Sequence, residues 1–386
     1  MRGNGKIGFA VIGLGAIAQS SVLPAFDRSK KAGLAAVVSR DKKKAEEISR
    51  KFGARACYSN DEYDECLANP EVDAVYVATP PGTHREFTVR AAEAGKHVLC
   101  EKPLAMNAAE ARELAGLAKA KNLAHCVNHN LRCYPQVQQM RAMIAAGELG
   151  EVLVVNGTYF QDWLLYDTDW NWRADSSANG ALRAMGDIGS HWMDAIEHLT
   201  ALRITSLCAD LQTFHKTRRR PKGSIETFTG KMPSAEDLIS TPVDTDDFGA
   251  VLVRLGERAR GSFAVSQVSS GCKNRFNIEI YGTKCGVAWN QERPDELWIG
   301  HRNHPNQLIV KDPSLLHSSA AAYADLPGGH SEGYDDTHKQ IFRRFYAHVA
   351  DAKAAVDYPT FDDGARGMGL LEKVFESSKN RVWVDC

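Results

Sequence analysis

No excess of charge of either sign marks this chain. Lysine and arginine total 47 against 48 aspartates and glutamates, a formal net charge of −1 in 386 residues. A basic excess is the electrostatic footprint of a nucleic-acid binder, so that class is not supported. Also lacking is any uninterrupted apolar stretch near the roughly 18 residues that suggest a membrane span. The start, MRGNGKIGFAVIGLG, has no charged segment leading into a long apolar core and a small-residue cleavage site, so no secretory signal is expected. The nine cysteines are odd in number, scattered, and nowhere in a C-x-x-C pair, unlike the even, clustered set of a secreted disulfide framework. They are expected to be reduced thiols of a cytoplasmic protein. Internal repeats and low-complexity tracts are missing too. With 44% hydrophobic and 25% charged residues, the composition is that of a globular chain. At roughly 150 residues per domain, its length suggests two or three domains.

What the sequence does contain is a change of rhythm near residue 130. Before it, short apolar runs alternate with amphipathic stretches. Ile7–Ile12, Leu34–Val38, Val72–Ala78, His97–Cys100 and Leu123–Val127 read as strands, with helices over Lys42–Phe52 and Ala108–Lys121. Continuous apolar runs suit strands buried on both faces, as in a doubly wound parallel sheet. After residue 131 a helix is expected at Gln136–Gly147, a strand at Val152–Tyr159 and a helix over 181–199. Strand-like stretches follow near 203–214, 247–255, 260–268, 275–281 and 285–290. Strands with little helix between them predict an α+β half on an antiparallel sheet. The domains expected are thus 1–130 and 131–386. The polar segment 215–244 reads as a loop, with Arg218-Arg219-Arg220 solvated.

The first strand runs into Gly13-Leu14-Gly15-Ala16-Ile17-Ala18, a G-x-G-x-x-A pattern between a buried strand and a helix. Gly13 permits the tight turn, Gly15 lets backbone approach a pyrophosphate, and Ala18 allows close helix–strand packing. The helix N-terminus offers N–H groups to the phosphates. At the end of the second strand an acidic residue would mark NAD, but Ser39 stands there, followed by Arg40. Arg40 suits a 2′-phosphate, whereas Asp41 suits a helix cap. The reading therefore leans towards NADP over NAD.

Three further segments add chemistry: Ala78-Thr79-Pro80-Pro81-Gly82-Thr83-His84, Glu101-Lys102-Pro103, and Gly186-Asp187-Ile188-Gly189-Ser190-His191. With the glycine turn, they resemble the glucose–fructose oxidoreductase/inositol dehydrogenase (Gfo/Idh/MocA) family over essentially the whole chain. The resemblance implies an N-terminal Rossmann domain and a C-terminal domain on a large open, mainly antiparallel sheet. It implies an NAD(P)-dependent oxidoreductase without a metal, acting on sugars, cyclitols or their derivatives, and a homodimer or homotetramer. Lys102, Asp187 and His191 match its catalytic trio. The cofactor residues expected are Gly13, Gly15, Ala16, Ile17, Ser39, Arg40, Thr79, Pro80, His84, Glu101, Lys102, Asn128, Trp172 and Arg173.

The residue chemistry points the same way. Asp187 and His191 are four apart, which puts them on one face of a helix. A carboxylate beside an imidazole raises its basicity and fixes its orientation, and histidine titrates near neutral pH. Lys102 follows a parallel strand's carboxyl end, where open α/β sheets place ligands. An ammonium there stabilises alkoxide character on a reacting oxygen. Trp163, Trp170, Trp172 and Arg173 suit a polyhydroxylated substrate, or pack as an interface. Trp172-Arg173 is similar to sugar dehydrogenases of the levoglucosan-dehydrogenase type. The expected substrate contacts are Lys102, Trp163, Arg173, Asp187, His191 and His330, the last from the loop Gly328–Tyr334. His125, His129 and Cys133 are spaced by four but lie in a strand region, so core and loop roles are preferred to a metal site. Two other functions remain open: a glycosidase that uses NAD for oxidation and elimination, and a dinucleotide-binding regulator without catalysis.

Overall fold

The computed structural model describes residues 6–222 and 238–386. Two compact units form, Met1–Asn130 with Tyr334–Met368, and Leu131–Gly333 with Gly369–Cys386.

In the first unit, six strands lie side by side and all neighbours are parallel. They are β1 (Ile7–Ile12), β2 (Ala32–Ser39), β3 (Ala56–Ser59), β4 (Ala74–Val77), β5 (His97–Cys100) and β6 (His125–Val127), in the order β3-β2-β1-β4-β5-β6. Every residue of β1 and of β4 is buried, which is why both are apolar throughout. The order reverses between β1 and β4, the switch point where such sheets leave a crevice at their carboxyl ends. Strand β3 has no apolar run because it is an edge strand and all four residues are half-buried.

Local chemistry sets the helix ends. Asp41 caps Lys42–Phe52 by accepting from the Lys43 and Lys44 amides at 2.9 and 3.2 Å, and Gly53 closes it at φ 68°. The division differs in one respect from a break near residue 130: helix Tyr334–Ala350 returns to the first unit. Its Phe342 stacks on Phe26 with ring centroids 4.5 Å apart, and both meet Phe9 of β1 at 5.3 Å. Burying such aromatic area is what draws the distant segment back.

The second unit is built on nine strands in the order β16-β15-β14-β13-β7-β12-β11-β8-β17. In chain order they are β7 (Val152–Phe160), β8 (Ile204–Gln212), β11 (Phe248–Leu255), β12 (Ala259–Ser266), β13 (Arg275–Gly282), β14 (Gly286–Asn290), β15 (Glu296–Gly300), β16 (Gln307–Val310) and β17 (Val384–Asp385). Only β7 and β12 pair in parallel. Helix Ser190–Thr200 packs on this sheet through Trp192, which stacks on Phe263 of β12 at 4.3 Å and 14°. Gly157 of β7 makes room for that indole, since a Cβ there would collide with the Trp192 ring nitrogen and the Asn277 carbonyl.

Three expectations are corrected. Residues 181–199 do not form one regular helix: a π-helical turn, Met185–Gly189, leads into Ser190–Thr200. Nor is 215–244 a loop where it is described, because β9 (Thr217–Pro221) pairs antiparallel with β10 (Leu238–Pro242); residues 223–237 lie outside the described part. Arg218 is not solvated either. It is fully buried, since its guanidinium meets the Asp247 carboxylate at 2.7 Å and the carbonyls of Leu164, Tyr166 and Asp169 at 2.9–3.1 Å.

Candidate active site

In the first unit a staircase of backbone bonds at the strand ends assembles the glycine turn and the loops after β4, β5 and β6. Gly13 donates to the Val38 carbonyl, Ala78 to Ile12, Glu101 to Val77 and Asn128 to Cys100, at 2.8–3.2 Å. The glycine turn shows how a dinucleotide fits. Gly13 sits at φ +92°, and a Cβ on it would come within 2.5 Å of the Ala78 carbonyl carbon. A Cβ on Gly15 would meet nothing within 4 Å, and Gly15 is exposed, so this backbone is open to a pyrophosphate. Residues 16–29 then continue as helix, with a π-helical stretch at Ala18–Val22. Ser39 is buried and accepts from the Asp41 amide at 3.2 Å, while Arg40 is exposed. Asp41 is spent on its cap.

Glu101 anchors the segment that carries Lys102. One carboxylate oxygen accepts from the Tyr76 hydroxyl at 2.7 Å and the Asn128 amide at 2.8 Å; the other faces the Lys102 amide at 3.3 Å. Asn128 is only 2% exposed and its Oδ1 is a buried acceptor without a partner, so its side chain serves Glu101 and does not open towards solvent. His84 is fully buried. Its two ring nitrogens contact the Thr79 and Pro103 carbonyls at 2.8 and 2.9 Å, tying the loop after β4 to the loop after β5. These contacts and full burial make His84 a clamp between the two loops. His125 points its Nδ1 at the Phe361 amide, 3.1 Å away. Among the described residues, no group of three or more His, Cys, Asp and Glu is placed to hold a metal.

The second unit holds Asp187 and His191. Asp187 lies in the π-helical turn, and its side chain keeps 12% of its surface exposed. Its Oδ1 accepts from Arg173 Nε at 3.3 Å and its Oδ2 from Gln267 Nε2 at 3.0 Å. His191 opens the following helix, 5% exposed, with the Tyr159 ring 6.3 Å from its own. The spacing argument assumed an α-helix through both residues, whereas a π turn carries Asp187; such turns recur at functional sites. Arg173 lies over the Trp172 ring at 4.4 Å. Trp163 is fixed by a chain of side chains: its indole donates to Gln161 at 2.8 Å, Gln161 donates to Asn274 at 2.9 Å, and Asn274 also accepts from Tyr159 at 2.8 Å. Asp194 and His198, further along the same helix, are structural, since Arg132 binds Asp194 and approaches His198 at 3.3 Å. His330 is exposed on a loop tied down by the buried Lys311 ammonium, which donates to the His330 and Leu326 carbonyls and to Glu332.

A glycine turn open to pyrophosphate at the switch point of a parallel sheet, with a lysine on an anchored loop at the same sheet edge, is the arrangement of a dinucleotide-binding domain. Comparison with known proteins narrows the class. Residues 7–129 match the family model described as an oxidoreductase family with an NAD-binding Rossmann fold, and residues 137–288 match the GFO/IDH/MocA C-terminal domain. The chain belongs to the Gfo/Idh/MocA family. It is 29% identical over 347 residues to levoglucosan dehydrogenase of Pseudarthrobacter phenanthrenivorans, covering 88% of this chain and 86% of that protein. The structure of a levoglucosan dehydrogenase with NADH and L-sorbose matches with TM-score 0.87 and 27% identity over 98% of both chains. An inositol dehydrogenase homologue of Azotobacter vinelandii with NAD+ matches with TM-score 0.82 and 26% identity over 100% of both.

Sequence reasoning missed Gln267, Arg183 and Asp247. The adjacent acids Asp246-Asp247 were a visible signal; Gln267 offered none.

The framework around the first half has a pH signature. Burial holds His84, His97, His125 and His338 of the first unit below the ordinary pKa of 6.5. As pH falls through about 6.5 the unfolded chain binds protons that the native chain refuses, so stability is present above that pH and lost below it. The slope is at most about 1.4 kcal/mol per pH unit for each histidine. Thermal melts should show Tm falling between pH 7.5 and 5.5, and His338→Gln should flatten the fall; an unchanged slope in the variant contradicts the assignment.

Proposed function

We propose that this protein transfers a hydride between a nicotinamide cofactor and a hydroxyl-bearing or carbonyl carbon of a sugar, anhydrosugar or cyclitol. The observation that carries the reading is the Asp187 carboxylate, held between Arg173 and Gln267 one helical turn before His191. Relatives described with levoglucosan, L-sorbose and myo-inositol support the substrate class, as does the near-neutral charge of the chain. Trp163, Trp172 and Arg173 suit sugar C–H faces and hydroxyls, and exposed His330, on a loop of the same unit, is a further candidate contact.

The residues divide the work by charge. The Lys102 ammonium hydrogen-bonds the reacting oxygen and stabilises alkoxide character there. His191 takes the hydroxyl proton on its imidazole, and Asp187 orients that ring or binds a neighbouring hydroxyl. The nicotinamide ring, when bound, supplies the hydride acceptor. In oxidation the carbinol carbon gives up its hydride as the C=O bond forms and the hydroxyl proton passes to His191; in reduction each transfer reverses. A bound dinucleotide would be held by the backbone of Gly13, Gly15, Ala16 and Ile17 at its diphosphate, by Ser39 and Arg40 at its adenosine ribose, and by Thr79, Pro80, Glu101 and Lys102 towards its nicotinamide. The open face of the nine-stranded sheet, with half-exposed Leu252 beside a concavity of about 540 Å³, supports a homodimer or homotetramer. Nine free cysteines agree with a cytoplasmic setting.

With Asp41 committed to its cap, exposed Arg40 is the side chain that answers a 2′-phosphate, which supports NADP; relatives holding NADH and NAD+ support NAD as well. Arg40→Ala should weaken NADP binding about tenfold or more and NAD binding less than about threefold, given about 1.4 kcal/mol per factor of ten for a lost charge contact. Equal losses overturn the NADP preference. For the chemistry, Lys102→Ala and His191→Ala should each lower kcat by about two orders of magnitude or more with either cofactor. Near wild-type kcat in either variant overturns that residue's role.

A further inference from the structure

Beneath Asp187 lies a buried charge cluster that the reaction itself does not use. Arg183, Arg218 and Asp247 are fully buried, and both guanidinium groups bind the Asp247 Oδ1. The other oxygen of Asp247 accepts from the Phe214 and His215 amides at 2.7 and 3.0 Å. Burial pushes the Asp247 carboxyl up, but the two arginines and these amides outweigh it and hold it low, so it is an anion. The adjacent Asp246 accepts from the Arg183 and Met185 amides at 2.6 and 2.7 Å, gripping the segment that leads into Asp187.

Four residues close a ring. The Asp187 amide donates to the Arg183 carbonyl at 2.7 Å, and the Arg183 guanidinium binds the Asp247 carboxylate. The Asp247 carbonyl accepts from the Gln267 amide at 3.0 Å, and the Gln267 side chain returns to the Asp187 carboxylate at 3.0 Å. Gln267 is fully buried, so its amide has little freedom to leave. The same residue accepts from the Leu164 amide at 3.1 Å, and Gln161 donates to Ser266 at 2.8 Å, so the segment carrying Trp163 is seated on the same strand end. Arg218 completes that seat by binding the Leu164, Tyr166 and Asp169 carbonyls.

We infer that Gln267 is a positioning residue: through the ring it shares with Arg183 and Asp247, it sets the Asp187 carboxylate in register with the Trp163 segment. The inference rests on the proposed role of Asp187. A buried ion pair gives little net stability over apolar packing of the same volume, because desolvation offsets attraction. What it does supply is a direction for each group it binds, and here those groups are the two backbone roots of the Asp187–Gln267 bond.

The test is a double-mutant cycle on the full-length protein, read as nicotinamide reduction with whichever of levoglucosan, L-sorbose and myo-inositol is turned over fastest. Gln267→Leu should lower kcat about ten- to a hundredfold, the scale of a misplaced reacting group. Its KM should change less than about threefold and its NADH dissociation constant should stay unchanged. In an Asp187→Asn background the same substitution should lower kcat by less than about threefold, since the group it positions has gone. Equal losses in both backgrounds, or wild-type kcat in Gln267→Leu, overturn the inference. Wild-type kcat in Asp187→Asn, or no turnover of any of the three by the unaltered protein, overturns the reading beneath it. Should Gln267→Leu not fold, Gln267→Glu keeps the shape, replaces the donor to Asp187 with an acceptor and is held to the same criteria.

Discussion

One buried carboxylate, Asp247, holds two guanidinium groups, and the segments of the second unit that carry Asp187, Trp163 and Gln267 hang from that grip. Through Arg183 it reaches the π-helical turn of Asp187; through Arg218 it reaches the carbonyls of the aromatic segment; through its own backbone it reaches Gln267. Burying three charges is costly unless each finds partners: both arginines share Asp247, Asp247 and Arg218 add main-chain groups, and Nε and Nη1 of Arg183 have none. The cluster is therefore best understood as geometry. It turns loops, which ordinarily drift, into surfaces with fixed directions.

The first unit reaches the same end by backbone alone. Each loop at the carboxyl edge of the parallel sheet begins with one more bond to the neighbouring strand, so the glycine turn and the segments with Thr79, Lys102 and Asn128 are held in sequence. Glu101 and His84 add side-chain ties among those loops. His84 is fully buried and Glu101 half-buried, and fixed partners hold each in one orientation.

The parts legible in the sequence were those with a physical period or a local rule. Apolar runs announced the buried parallel strands, and Asp41 announced its helix through capping chemistry. Edge strand β3 stayed hidden because half-buried residues need no apolar run. The three arginines at 218–220 read alike as letters, but the sheet buries Arg218 against Asp247 and leaves Arg219 and Arg220 exposed. His84 sat in a motif; only the fold reveals that its two nitrogens face the carbonyls of two different loops. Asp187 and His191 stood out by spacing, yet the π turn and the Gln267 amide are tertiary facts with no sequence period to betray them.

The central claim is hydride exchange between a nicotinamide cofactor and a polyhydroxylated carbon. The most direct measurement follows nicotinamide absorbance with NAD and with NADP across hexoses, anhydrosugars and inositols, in oxidation and, with the matching ketones, in reduction. Cofactor reduction by at least one neutral polyol, reversed by its ketone, is the result the account predicts. No change in cofactor with any member of the panel, or cleavage of a glycoside with no net cofactor consumed, would contradict it.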